Sequence, residues 1–177
     1  MEDRTAALTT AEELDKIIPL PENEKKAISQ VRACYGMRIT PYYASLIDPR
    51  DENSPIRRQC VPSLEELNNP AHFENDPLHE NACSPVPYLT HKYPDRAAFY
   101  ICNSCFTLCR HCTRKNTVIK GRRVTHAQFE EVLAYLRGTP QIRDVLVTGG
   151  DPLTLEDEEL DYFLSRLRAI PHVQTLR

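Results

Sequence analysis

Ala97-Ala98-Phe99-Tyr100-Ile101-Cys102-Asn103-Ser104-Cys105-Phe106-Thr107-Leu108-Cys109-Arg110-His111-Cys112 couples a strand signal to a chemical one. The apolar run from Ala97 to Ile101 reads as a buried strand, and four of the seven cysteines lie in the eleven residues that follow it. Thiolates this close either hold a metal or form a redox pair, because a disulfide framework needs partners spread along the chain. Zinc ribbons place a dozen or more residues between their two Cys-x2-Cys knuckles. Here three residues separate Cys105 from Cys109. The spacing Cys105-x3-Cys109-x2-Cys112 puts three thiolates on one irregular loop, where they suit one face of a cubane iron–sulfur cluster. A cluster with three protein ligands leaves one iron open to a small molecule. Structural zinc or a lone redox pair is the alternative for the cysteines taken alone.

Outward from this stretch the pattern alternates. Thr125 and Gln128 form a capping box for a helix from Thr125 to Arg137, with Phe129, Val132, Leu133 and Leu136 on one face. A second strand spans Asp144 to Thr148 and ends on Gly149-Gly150. A helix from Leu155 to Arg168 follows, and Val173 to Leu176 begins a third strand. Strands alternating with amphipathic helices predict a parallel sheet whose chemistry sits on loops at the strand C-termini. In a right-handed βαβ unit the cysteine loop and the Gly149-Gly150 loop become neighbours.

Upstream, Thr10 with Glu13 caps a first helix, Pro21 opens a second that runs to Gly36, and Thr40-Pro41 starts a third. A loop from Asp48 to Pro55 follows, and Ser63 with Glu66 caps one more turn. The proline-rich run from Asn68 to Pro94 has little periodicity and is expected to wrap a surface. The domains expected are 1–67 (helical), 68–94 (irregular) and 95–177 (the start of a barrel). Cys102 packs at the end of its strand, and Cys34, Cys60 and Cys83 read as small core hydrophobes.

The composition is that of an ordinary globular chain, 41% hydrophobic and 27% charged, with a net charge of −3. Acids and bases are interspersed, so no basic footprint for nucleic acid exists. No apolar run reaches membrane-span length, and the N-terminus lacks the apolar core of a signal peptide. Seven cysteines fit a reducing compartment, and the expected location is cytoplasmic.

Cys105-x3-Cys109-x2-Cys112 resembles the signature of the radical S-adenosylmethionine superfamily. The run Cys109-Arg110-His111-Cys112-Thr113-Arg114-Lys115, with Gly149-Gly150-Asp151-Pro152-Leu153 downstream, is similar to the lysine 2,3-aminomutase family. Ile39 to Tyr43, Asp76 to Glu80, Ser84 to Pro87 and Thr90 to Arg96 extend the likeness.

The resemblance implies an α/β fold: an N-terminal helical region, then the first βα units of a partial TIM-type barrel, truncated at the start of the third strand. It implies a [4Fe-4S] cluster on Cys105, Cys109 and Cys112, S-adenosylmethionine against Gly149, Gly150 and Asp151, and a substrate carboxylate on Arg114. It also implies pyridoxal phosphate seated by Lys92, Tyr93 and Arg96. Lys92 stands where the family has arginine, which keeps the charge and loses the planar fork. Read alone, Gly-Gly-Asp-Pro is a turn, and the three cations at Arg110, Arg114 and Lys115 compensate an anionic cluster.

The activity implied is an isomerase that moves an amino group from C2 to C3 of lysine or a related amino acid, using a 5′-deoxyadenosyl radical and pyridoxal phosphate. The family's Schiff-base lysine has no counterpart here, so no catalytic residue is assigned and the chain alone is not expected to turn over. The alternatives are an iron–sulfur and S-adenosylmethionine-binding protein without turnover, a zinc-binding module, and an aminomutase for glutamate or arginine. The full-length protein is expected to be a homo-oligomer, with no nucleic-acid or membrane partner.

Overall fold

Two hydrophobic cores divide the chain into two units, Met1–Asn75 with Phe106–Ile119, and Asp76–Cys105 with Lys120–Arg177. The computed structural model describes residues 7–51, 53–68, 74, 76–118 and 123–177. Positions 69–73 and 75 of the expected irregular segment therefore lie outside the described residues.

The helical unit contains α1 (Ala11–Asp15), α2 (Glu22–Tyr35), α3 (Pro41–Ser45), α4 (Pro55–Cys60), a 3-10 turn at Leu64–Leu67 and α5 (Lys115–Val118). Local chemistry explains the starts. The Thr10 hydroxyl accepts the Glu13 N–H while the Glu13 carboxylate accepts the Thr10 N–H, and Ser63 with Glu66 repeats the device. α3 and α4 both begin on proline, whose missing N–H costs nothing there. The Asp48–Pro55 loop thus ends by opening a helix, α4, that its turn-rich sequence does not announce. Leu14, Ile18, Ile28, Met37, Ile39 and Ala44 fill this core. Of the three scattered cysteines only Cys60 is buried; Cys34 is exposed and Cys83 half-buried. The inward face of α2 passes from Ile28 and Val31 to half-buried Tyr35, one turn beyond Val31, and leaves Cys34 outside.

The sheet unit contains a 3-10 turn at Asn81–Cys83, β1 (Leu89–Tyr93), β2 (Arg96–Cys102), α6 (His126–Arg137), β3 (Asp144–Gly149), a 3-10 turn at Pro152–Thr154, α7 (Asp157–Arg168) and β4 (Thr175–Leu176). The four strands lie in the order β1-β2-β3-β4. β2, β3 and β4 are parallel, as the alternation of strand and helix predicts, whereas β1 runs antiparallel to β2. β1 lies inside the stretch read as irregular. Its pairing comes from Leu89, which is buried opposite Phe99, and its outer residues Lys92 and Tyr93 carry no apolar alternation to announce it.

One face of the sheet packs on α6 and α7. Phe99, Phe129 and Phe163 meet there with ring centroids 4.7 to 6.1 Å apart, within the range that favours offset and edge contacts. Among the described residues, no helix is long and apolar enough to cross a membrane.

Candidate metal and cofactor site

β2 and β3 pair in parallel, so their C-terminal exits lie side by side, with Cys102 opposite Gly149. The Gly150 N–H donates to the Cys102 carbonyl and the Asp151 N–H to the Ser104 carbonyl, both at 2.7 Å. This closeness explains the glycines. Gly149 has φ +129°, and a Cβ there would stand 2.2 Å from the Cys102 oxygen. A Cβ on Gly150 would stand 2.1 Å from the Ser104 oxygen. At both positions the space that a Cβ would take is filled by the chain's own backbone.

The same contact encloses Cys102. It is buried, and its thiol donates toward the Asp151 carbonyl at 3.3 Å, beside the pair of hydroxyls Ser104 Oγ and Thr154 Oγ1 at 2.7 Å. Asp151 caps the short turn that follows, accepting the Leu153 N–H at 3.1 Å. The strand exit is thus knitted by backbone and small polar side chains, with a carboxylate at its rim.

Cys105 closes the sheet unit's share of the cysteine run, and Cys109 and Cys112 belong to the helical unit. No disulfide engages any of the seven cysteines. Cys109 is exposed by surface area, but partial desolvation by the neighbouring chain pushes its thiol up, and Cys112 adds to the rise as a second negative group nearby. Among the described residues, no three His, Cys, Asp or Glu side chains are gathered as a metal site. Thiols repel one another as they ionise, and the energy that assembles such a set comes from the metal itself. Three thiols on one run are donors of the kind a soft iron–sulfur group takes, and Cys112 lies close enough to act on the Cys109 thiol.

The loop's backbone is held on both sides of Cys109. Leu108 N–H donates to the Arg38 carbonyl at 2.9 Å and Arg110 N–H to the Gln59 carbonyl at 2.8 Å. Arg110, read from sequence as positive charge beside a cluster, is instead buried against Glu66. Its Nε and Nη2 donate to the two carboxylate oxygens at 2.9 and 2.8 Å. Its Nη1 donates to the Gly36 carbonyl at 3.0 Å, and Lys115 Nζ reaches Glu66 at 3.3 Å. Burial alone would raise the Glu66 carboxyl, but hydrogen bonds from Arg110 and the Ser63 amide and the two cations outweigh it, so it lies below its ordinary value. Nothing in the sequence singled out Glu66 beyond its capping box. Arg114 is half-buried, and its carbonyl accepts the Thr117 and Val118 N–H groups that start α5.

Lys92, Tyr93 and Arg96 gather at the β1–β2 corner, where Tyr93 pairs with Arg96. This is the opposite end of β2 from Cys102, six residues and about 20 Å away at 3.3 Å per residue. Lys92 Nζ donates to the Leu78 carbonyl at 2.9 Å, and Arg96 is bidentate to Asp95 at 2.9 and 3.2 Å. Tyr93 is 58% exposed, so the corner carries two cations and a phenol, with the Asp95 carboxylate already holding Arg96 and Arg143.

No family model matches the chain. It is 46% identical over 171 residues to the L-lysine 2,3-aminomutase of Clostridium subterminale, an alignment covering 96% of this chain and 41% of that protein. To the L-lysine 2,3-aminomutase of Bacillus subtilis it is 43% identical over 174 residues, covering 98% and 37%. To the glutamate 2,3-aminomutase of Clostridioides difficile it is 40% identical over 173 residues, covering 96% and 40%. The chain therefore spans about two-fifths of the length of the curated relatives it matches.

Proposed function

Because this chain is homologous to the lysine 2,3-aminomutases over some two-fifths of their length, we propose that it is the cluster-binding and S-adenosylmethionine-binding part of an amino acid 2,3-aminomutase. Such an isomerase moves an amino group between C2 and C3 of a small α-amino acid; lysine and glutamate are the substrates in its relatives' names. The observation that carries the reading is the parallel β2–β3 pair, which sets the start of the cysteine run against Gly149-Gly150-Asp151. Substrates of parallel α/β sheets sit at the strand C-termini, and β2 to β4 read as the first strands of a barrel of that type.

In this reading Cys105, Cys109 and Cys112 hold the [4Fe-4S] cluster, and the Asp151 carboxylate accepts the ammonium of S-adenosylmethionine. Arg114 offers its fork to the substrate carboxylate; Lys92, Tyr93 and Arg96 are the residues that the family likeness offers to the phosphate of pyridoxal phosphate, although they stand at the other end of β2 from the cysteine run. When bound, these groups supply the radical chemistry needed to take hydrogen from an unactivated carbon and to carry the nitrogen. The chain's own contribution is positional. β2 and β3 fix the spacing of the two loops, the buried Cys102 thiol closes the floor between them, and the α6–α7 face keeps the sheet rigid. The thiol state of all seven cysteines suits the reducing cytoplasm proposed for it.

Asp151→Asn tests this most cleanly, because it keeps the cap to Leu153 and removes the charge. In anaerobic titration of cluster-loaded protein with S-adenosylmethionine, the variant is expected to bind about tenfold to a hundredfold more weakly, the worth of one charged hydrogen bond. Unchanged affinity would return Gly149 to Asp151 to the role of a turn.

A further inference from the structure

We propose that Glu66 is a positioning residue for the metal-binding loop: with Arg110 and Lys115 it fixes the register of the segment that carries Cys109 and Cys112. The inference rests on the ligand assignment above and deepens it. Glu66 accepts four donors. Oε1 takes the Ser63 N–H at 3.1 Å and Arg110 Nε at 2.9 Å, while Oε2 takes Arg110 Nη2 at 2.8 Å and Lys115 Nζ at 3.3 Å. The side chains of Arg110 and Glu66 are 7% and 11% exposed, so the fork is shielded from water and geometrically specific. Arg110 stands between the two cysteines in sequence and Lys115 three residues beyond the second. One carboxylate therefore grips the segment both between its thiols and beyond them.

The grip is reinforced at the backbone. Cys109 lies between the Leu108 and Arg110 N–H groups, which donate to the carbonyls of Arg38 and Gln59. The Cys109 carbonyl accepts the Cys112 N–H at 3.2 Å and the Cys112 carbonyl the Lys115 N–H at 3.3 Å, so a turn links each anchor to the next. Lys115 also lies over the Tyr35 ring, its Nζ 4.1 Å from the centroid. A loop without regular structure keeps ligands within the tolerance a cluster demands only if something outside it sets its register. A bidentate ion pair does this with direction, whereas an apolar contact of equal strength tolerates sliding. Arg110 is accordingly not part of the charge that meets a bound anion.

The test separates positioning from stability. Glu66→Gln leaves a buried guanidinium without its counter-charge, whereas the double variant Glu66→Met with Arg110→Met removes both charges and is expected to regain most of the lost melting temperature, short of what the Ser63 N–H, the Gly36 carbonyl and Lys115 lose with their partners. Two readouts follow on the full chain: amide hydrogen exchange at Leu108 and Arg110 in iron-free protein, and iron content with the EPR spectrum after anaerobic reconstitution. Exchange at both amides is expected to rise about tenfold or more in Glu66→Gln and in the double variant alike, with iron retention falling in both. A double variant that matched wild type in exchange, iron and spectrum would overturn the proposal and leave the pair a stabilising contact only. Should that variant fail to fold, Arg110→Lys decides in its place, since it keeps the charge and loses the fork; wild-type exchange and spectrum there would likewise overturn the proposal. Cys109→Ala is the control. If it held full iron the ligand assignment would fail, while the exchange measurement would still judge Glu66.

Discussion

A carboxylate that accepts four hydrogen bonds while nearly enclosed contributes stability in a pH-dependent way. Glu66 lies below its ordinary value of 4.5 in the folded chain. Its contribution is therefore fully present above about pH 4.5 and is lost as pH falls through the depressed folded value. Glu66→Gln is expected to cost on the order of 3 kcal/mol at pH 7, the scale for breaking one side of a buried pair. Below pH 4 the gap between the two proteins should narrow, as read from melting temperature across pH. Glycine gives a second contrast at this scale. Gly150→Ala forces a Cβ to within 2.1 Å of the Ser104 oxygen and should lose more than about 2 kcal/mol, with the strand exit loosened. Gly138→Ala meets only ordinary contacts from 3.4 Å outward and should change stability by less than about 1 kcal/mol. Thermal melting of the two variants in parallel checks both. That two adjacent glycines exclude a side chain was readable from sequence; that the excluding atoms belong to Cys102 and Ser104 depends on strand pairing, and residue order alone does not display it.

Helix starts are local, and here they were legible. The capping boxes at Thr10, Ser63 and Thr125 all form, because each is complete within four residues and needs no tertiary partner. Thr125→Ala should accordingly cost about 1 kcal/mol through the N-terminus of α6 alone. Helix α4 is masked in the sequence because the turn signals of Asp48 to Asn53 run straight into Ser54-Pro55, where a proline that ends one pattern begins another. β1 is hidden because a strand held by its neighbour needs only a short buried stretch, Leu89 and Thr90 opposite Phe99 and Ala98, to be set in register. Its corner with β2 has a further anchor in Asp95, whose carboxylate receives Arg96 and Arg143 and whose carbonyl receives the N–H groups of Arg143 and Asp144. Asp95→Ala is therefore expected to fray the N-terminal ends of β2 and β3 together. Faster amide exchange at Arg143 and Asp144, with Val147 unchanged, would show it.

At the scale of the molecule, the parallel order of β2, β3 and β4 followed from the alternation of strands and helices, and the adjacency of the two strand exits followed from that order. The mutual support within the helical unit did not. Glu66 and Arg110 are 44 residues apart, and an arginine inside a cysteine-rich run looks like a partner for anions until its fork is seen to be occupied. The cysteine run also crosses from one unit to the other after Cys105, which its spacing gave no reason to expect. In the proposed assignment Cys105, Cys109 and Cys112 bind a four-iron cluster while Cys102 serves the strand exit. Anaerobic reconstitution of the four single Cys→Ala variants, followed by iron and acid-labile sulfide counting, tests it directly. Cys102→Ala should retain about four irons per chain, and each of the other three should lose most of them. Loss of the cluster in Cys102→Ala with retention in Cys105→Ala would contradict the account.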